Sequence, residues 1–193
     1  KSRRNHRSRA NDCRNRNGVL SIADPTMLVD SHSHLDAPEF DSDRDAVIAR
    51  ARVAGVTRQV VPAVSMAGWE KLRELCVAGS GLFPAYGLHP MYLDEHHEAH
   101  LLSLRTWIDR ERPVAVGESA LDFFVQGLDA ERQSLFFDGQ LRLARDSGLP
   151  VIMHARRAVD QVMDAIRRFG PLRGVIHSFS GSADRARRLY DLG

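Results

Sequence analysis

Cysteine is scarce in this chain of 193 residues, where Cys13 and Cys76 are the only two. Two cysteines make no disulfide framework, so packing has to hold the fold, and a reducing cytoplasm is the expected compartment. Long apolar runs are missing too. Nothing approaches the roughly 20 continuous apolar residues of a membrane span, and no apolar stretch of signal-peptide type stands near the N-terminus. Glycine is absent where a dinucleotide-binding sheet would need it. The first apolar run leads into Ser31-His32-Ser33-His34-Leu35-Asp36, which offers no glycine-rich turn for a phosphate.

A charge excess is lacking through most of the chain. The net charge is +2, yet residues 1–26 hold seven Lys/Arg against two Asp, and residues 27–193 hold 20 basic and 23 acidic residues. The body therefore makes no electrostatic case for nucleic acid. Residues 1–26 show no sustained period and few large apolar groups, so burial cannot offset their ordering entropy. They are expected to form a basic, disordered extension, dispensable for stability and turnover. The competing reading is an arm that grips phosphates. The folded unit is expected over 27–193.

From Met27 onward, apolar runs rich in Val and Ile alternate with stretches of helical period. The runs lie at 27–30, 59–64, 82–89, 113–118, 150–154 and 174–179. Runs apolar on both faces suit parallel strands covered by helices. A helix is predicted over 43–54 with Gly55 as its stop. A second is predicted over 129–147, capped by Asp129 and ended by Gly148, and a last one from Ser182 to Leu192. Six β-then-α units make an α/β protein with a parallel sheet.

A barrel of such units carries its chemistry at the C-terminal ends of the strands. Here the first strand is expected to end at His32 and His34, the third at His89, the fourth at Glu118, the fifth at His154 and the sixth at His177. Strand side chains alternate faces. By that parity His32 and His34 share a face, as do Val114, Val116 and Glu118, Ile152 and His154, and Val175 and His177. Four imidazoles and a carboxylate meeting at one mouth would be costly to bury unpaired, and a divalent metal cluster satisfies them. Glu118 has two oxygens with which to bridge two ions. His89 taken alone, before Pro90, reads as an ordinary polar strand end. His96, His97 and His100, in the acidic stretch Asp94–His100, read as solvated surface.

The stretches 30–36 (DSHSHLD), 87–90 (GLHP), 116–122 (VGESALD), 149–157 (LPVIMHARR) and 174–181 (GVIHSFSG) together resemble the TatD family of metal-dependent hydrolases, within the amidohydrolase superfamily. The resemblance implies a TIM-type (β/α)8 barrel holding two divalent ions, zinc, manganese or magnesium. By it His32 and His34 hold one ion, His154 and His177 the other, and Glu118 bridges. It also implies that His89 and Arg156 face the substrate, and that the activity is a 3′ exonuclease on DNA. Aminoacyl-tRNA deacylation, an ester cleavage, is the alternative. No obligate protein partner and no membrane are implied.

The implied mechanism is phosphodiester hydrolysis by water that the two metals acidify. Arg156 would neutralise phosphate charge, and His89 would donate to a phosphate oxygen or protonate the leaving group. Arg157 reads as a surface charge at a helix start. Some barrels of the superfamily bridge their metals with a carboxylated lysine. Lys1 and Lys71 are the only lysines, neither lies at the fourth strand, and Glu118 stands there instead.

Two departures from the family pattern stand out. Ala120 replaces a glycine, and the chain stops after about six units where the family continues to an eighth strand bearing a metal-ligating aspartate. The resemblance therefore implies an incomplete barrel with impaired catalysis.

Overall fold

The computed structural model describes residues 27–77 and 79–193; the basic extension expected over 1–26 lies outside the described residues. Six strands form one parallel sheet in sequential order: β1 (Leu28–Asp30), β2 (Val56–Pro62), β3 (Leu82–Tyr86), β4 (Ala115–Asp122), β5 (Val151–Arg156) and β6 (Gly174–Ile176). A helix follows each strand: α1 (Arg44–Val53), α2 (Trp69–Leu75), α3 (Ala99–Glu111), α4 (Ala130–Ser147), α5 (Val159–Phe169) and α6 (Ala183–Tyr190). The six βα units predicted from the sequence are all present. No described helix is long and apolar enough to cross a membrane.

Local chemistry explains the helix limits. The Asp129 carboxylate accepts from the backbone N–H groups of Glu131 and Arg132, and Gly148 ends α4 with φ +67°. Ser182 caps α6 by accepting from the Arg185 N–H. These bonds satisfy donors that a helix start leaves unpaired.

The main core lies between the sheet and the helices. Trp69, Leu72, Tyr86, Leu104, Phe137, Leu141 and Val162 are all buried there. Ala85, Ala115 and Ile152 form a separate small cluster with Val60 packed against it. Ile152 shares its strand face with His154, so this second cluster lies beneath the histidines.

The sheet is strongly curled. Six strands spaced about 4.8 Å apart would put the edges of a flat sheet about 24 Å from each other. Yet the rings of His32, just after β1, and His177, just after β6, stack with centroids 3.9 Å apart. The two sheet edges thus meet at their C-terminal ends, in a curled half-barrel.

One prediction about β4 needs correction. Glu118 lies in the middle of β4, not at its end, and the strand runs on to Asp122. Val114 lies outside the strand and is half exposed, and the pairing of β4 with β5 shifts register between Val116 and Ser119. The two-residue alternation therefore breaks where Glu118 sits, and a bulge aims its side chain. The bulge also carries the backbone inward, because the Glu118 N–H bonds to the Ala63 carbonyl of the β2 end at 3.2 Å, past β3.

Gly87 makes room for this crossing. A Cβ there would lie 2.5 Å from the Gly117 carbonyl carbon and 2.9 Å from the Glu118 carbonyl oxygen. Gly87→Ala is expected to cost about 3 kcal/mol, since backbone cannot yield as a flexible side chain does. Urea unfolding of the two proteins measures it; an unchanged midpoint would show that the β4 bulge can relax.

Candidate metal centre

His32, His34, His89 and His177 sit just past strand ends, yet within the hydrogen-bonded ladder, whereas His154 lies inside β5, which was expected to end there and runs on to Arg156. Ser33 N–H bonds to Val60 O at 3.0 Å, His89 N–H to Val64 O at 2.8 Å, and His177 N–H to Met153 O at 3.1 Å. The alternation of a strand thus persists beyond its formal limits, and His32 and His34 point the same way, with their Nε2 atoms 3.1 Å apart. The Asp30 carboxylate accepts from the His32 N–H at 3.0 Å and fixes the start of this turn.

All of these side chains converge on Glu118, which is 1% exposed. Its two oxygens sort them. Oε2 lies 3.0 Å from His32 Nε2 and 3.2 Å from His34 Nε2. Oε1 lies 3.2 Å from His89 Nε2, 3.2 Å from His154 Nδ1 and 2.5 Å from His177 Nε2. The structure therefore brings His32, His34, His89, Glu118, His154 and His177 to one mouth.

The outer bond of each ring fixes which nitrogen carries its proton. His34 Nδ1 lies 3.1 Å from the Pro62 carbonyl, which only accepts, so Nδ1 donates and Nε2 offers a lone pair to the cluster. His154 Nε2 lies 2.8 Å from Asp122 Oδ2, so Nε2 donates and Nδ1 offers the lone pair. His89 is the reverse case. Its Nδ1 accepts from the Met91 N–H at 3.2 Å, leaving Nε2 as a donor toward Glu118. Two of these rings thus present themselves as ligands, and His89 presents an N–H.

The donor set fits a cation. Glu118 Oε2 is buried without a hydrogen-bond partner although two imidazole nitrogens lie within 3.2 Å. Lone pairs facing a buried carboxylate repel unless protons or positive ions come between them. The ligating atoms of His32, Glu118 and His177 lie within 4.8 Å of one another, as do those of His89, Glu118 and His154. Nitrogen and oxygen donors of this kind suit zinc or manganese.

Electrostatics agree with the geometry. Burial works to raise the Glu118 carboxyl, but His154, His177, His32 and His34 together outweigh it and hold the group far below the usual carboxylate range. The Glu118 carboxylate raises His34 above the ordinary imidazole value, against its own burial. Burial works to lower His154 as well, and Glu118 and Asp122 more than compensate, so it is raised. Burial dominates at His89 and lowers it, against the raising effect of Glu118.

Sequence reasoning missed three residues that hold this arrangement. Asp122 orients His154, and its other oxygen accepts from the N–H groups of Phe124 and Val125 at 2.8 and 2.9 Å. Gln133 and Gln140, both buried on α4, clamp backbone from the convex side. Gln133 accepts from Asp122 N–H at 2.7 Å and donates to Asp122 O at 2.9 Å. Gln140 makes the same pair of bonds with Leu88, at 2.8 and 3.0 Å. Two glutamines seven residues apart on one helix face were a signal, since that face is otherwise apolar.

His96 needs correction. It was read as solvated, with His97 and His100, but it is fully buried against Phe136, and its Nε2 donates to the His89 carbonyl at 2.9 Å. His97 is exposed and His100 half-buried. Arg156, at the end of β5, is exposed, and its guanidinium carbon lies 3.6 Å from the centre of the Phe124 ring. Arg157 is exposed just before α5, as expected, and rests on the same ring.

Ring-nitrogen NMR of the metal-free protein should give Nδ1–H for His34 and Nε2–H for His89 and His154 once each ring is neutral. A carboxylate favours imidazolium, so Glu118→Gln should move the titrations of His34 and His154 to lower pH. Unmoved titrations would separate these rings from Glu118. His96→Ala should cost about 2 kcal/mol of stability, leaving a void and only the Tyr92 N–H on His89 O, while His97→Ala stays within about 0.5 kcal/mol in the same denaturation assay.

Comparison with known proteins places this geometry. Residues 29–193 match the TatD related DNase family. An uncharacterized metal-dependent hydrolase, YjjV of Escherichia coli, is 39% identical over 169 residues, covering 86% of this chain and 65% of that protein. The 3'-5' ssDNA/RNA exonuclease TatD of Musicola paradisiaca is 34% identical, with 86% of this chain and 64% of that protein covered. The crystal structure of the Escherichia coli TatD homologue YjjV superposes with a TM-score of 0.82 at 37% identity, over 87% of this chain and 66% of that one. A TatD family hydrolase from Entamoeba histolytica, 20% identical, shares the fold with a TM-score of 0.76. The chain spans about two thirds of the length of the relatives it matches. With the family's match running through every histidine of the cluster, from His32 to His177, this chain belongs to the TatD related DNase family.

Proposed function

We propose that the protein is a divalent-metal-dependent hydrolase that cleaves phosphodiester bonds of DNA, as a 3′ exonuclease, at a two-metal site built on Glu118. The observation that carries this reading is the division of the imidazoles between the two oxygens of one buried carboxylate. His32 and His34 would hold one ion and His154 and His177 the other, with Glu118 shared between them. Divalent ions bound there supply Lewis acidity and lower the pKa of water. The name of the Musicola relative, an exonuclease on single-stranded DNA and RNA, supports the choice of a nucleic-acid phosphodiester.

The chain's own residues contribute three things. Glu118 supplies a charge that stays ionised, because the surrounding imidazoles keep its carboxyl low. Asp122 holds the His154 ring so that Nδ1 faces inward, the orienting role of a carboxylate behind a metal-binding histidine. His89 keeps its proton on Nε2 and faces the cluster, so it is placed to donate to a phosphate oxygen or to the departing sugar oxygen as the P–O bond breaks. It is a donor in this scheme and not a ligand.

The test combines metal analysis with a substrate panel of single-stranded DNA, RNA and an aminoacyl-tRNA, on the full-length protein. Glu118→Gln should lose activity on the order of a thousandfold together with bound metal, while His97→Ala keeps both. Asp122→Asn should weaken metal affinity about 10–100-fold. Equal losses in Glu118→Gln and His97→Ala would show that the site is elsewhere. Turnover of the aminoacyl ester without DNA cleavage would replace the nuclease reading with a deacylase.

A further inference from the structure

At the opposite end of the sheet from the histidine cluster lies a pocket of about 590 Å³. It opens where β2, β3 and β4 begin and where α2 and α3 end. Val77, Leu82, Phe83, Pro84 and Val114 make its walls largely apolar. The phosphodiesterase reading leaves it without a role, because barrels of this kind do their chemistry at the C-terminal strand ends.

The floor of the pocket holds an unmet donor. Tyr86 reaches it while 0% exposed, and the Tyr86 hydroxyl is buried without a hydrogen-bond partner among the described residues. Leaving such a group unmet costs about 1–3 kcal/mol. The ring packs against Trp69 and Trp107, with centroids 6.2 and 5.7 Å away. The Trp107 indole N–H acts on the phenol oxygen, and an indole can only donate. The Tyr86 O–H therefore points away from it. The other groups whose charge the phenol feels are Cys76, Glu111 and Arg73, and all three line the pocket. The hydroxyl thus faces the pocket. Burial pushes the Tyr86 phenol and the Cys76 thiol each up to about 12, so both keep their protons near neutrality. The floor offers an O–H and an S–H, and no charge.

The rim is cationic. Arg58, Arg73 and Arg112 stand there with one carboxylate, Glu111. Arg73 pairs with Glu70 and Glu111 with Arg110, whereas Arg58 and Arg112, both exposed, enter no ion pair among the described residues. α2 and α3 end at this rim with partial negative charge, which Arg73 and Arg110 in their last turns offset. Two guanidiniums remain for a ligand, and their planar forks match a carboxylate or a phosphate.

We infer that this pocket is a binding site for a small organic anion with an apolar body. Its anionic head sits between Arg58 and Arg112, its body lies on Leu82 and Pro84, and an acceptor atom at its far end takes the Tyr86 O–H. Such a ligand is not a substrate of the metal centre, which lies at the other end of the strands. The inference holds whether or not that centre is a phosphodiesterase.

Three probes take the recognition apart. 4-Acetylbenzoate has a carboxylate and a distant carbonyl, 4-ethylbenzoate lacks the carbonyl, and 4-acetylbenzamide lacks the charge. Each is titrated into the isotope-labelled full-length protein, and backbone amide shifts are followed by NMR. 4-Acetylbenzoate should bind saturably and move the amides of Gly79, Gly81 and Val114, equally in zinc and in EDTA. 4-Ethylbenzoate should bind about fivefold more weakly, and 4-acetylbenzamide about tenfold. Tyr86→Phe, which keeps the packed ring, should erase the first difference and preserve the second. Arg58→Gln with Arg112→Gln should do the reverse, and both substitutions lie on exposed side chains that the fold does not need. 4-Acetylphenyl phosphate in EDTA distinguishes the heads, since tighter binding than 4-acetylbenzoate assigns a phosphate and weaker binding a carboxylate. A pocket that holds only water would show no saturable shift at these amides with any probe, and that result would overturn the site. So would a Tyr86→Phe protein that still prefers the acetyl compound to the ethyl one.

Discussion

A single buried carboxylate organises this molecule. Glu118 is 1% exposed, and an ionised group taken so far from water is costly unless it is paired. Five imidazoles supply the pairing, from just past β1, β3 and β6 and from within β5. Those strands can all reach one atom pair only if the sheet curls until its edges meet. The site's electrostatics and the sheet's curvature are therefore one requirement. The bulge in β4 that throws Glu118 inward, and the bare backbone of Gly87 beneath it, are the local means of meeting it.

Around that pair of oxygens the protein uses outer hydrogen bonds to assign roles. His34 and His154 each give their outward proton to an oxygen, a carbonyl in one case and Asp122 in the other, which turns a lone pair inward. His89 takes a proton from the Met91 backbone on its outward nitrogen, which turns an N–H inward. Identical side chains at similar distances from Glu118 thus carry opposite hydrogen-bonding character. Behind them α4 acts as a brace. Gln133 and Gln140 each satisfy both backbone groups of one residue, Asp122 and Leu88, at the ends of neighbouring strands. Buried amides with both ends bonded are rigid elements, and here they fix the loops that carry His89 and the orienting carboxylate.

The sequence was most legible where local rules act alone. Apolar runs, Asp129 and Gly148 around α4, and Ser182 before α6 each depend on neighbours in the chain, and each was read correctly. Four of the histidines were legible for a related reason, since strand parity suffices to bring His32, His34, His154 and His177 to one mouth, although β5 runs two residues past His154. Glu118 was placed by the right residue type and the wrong argument, because a bulge, invisible to parity, aims it. His96 escaped because its acidic neighbours look solvated, and only the fold shows the His89 carbonyl and the Phe136 ring that bury it. Asp122 lay inside a quoted motif, but its partner is 32 residues away in the chain, so no spacing rule could reveal it.

The strands that meet at the site differ in how firmly they are held. β4 is buried along its whole length and β5 over its first half, both under α4 and α5. β1 and β6 have three residues each and are largely exposed, with Leu28, Val29 and Val175 open to solvent. Yet β1 and β6 lead directly into His32, His34 and His177, three of the side chains that face Glu118. The exposed edges of the described sheet thus carry much of the site, and its buried centre carries the carboxylate. A cation held between the imidazoles and Glu118 would also tie the two edges to the middle. Loss of that tie would leave short, exposed strands with few contacts of their own, the kind of element that opens locally before the rest of a protein unfolds.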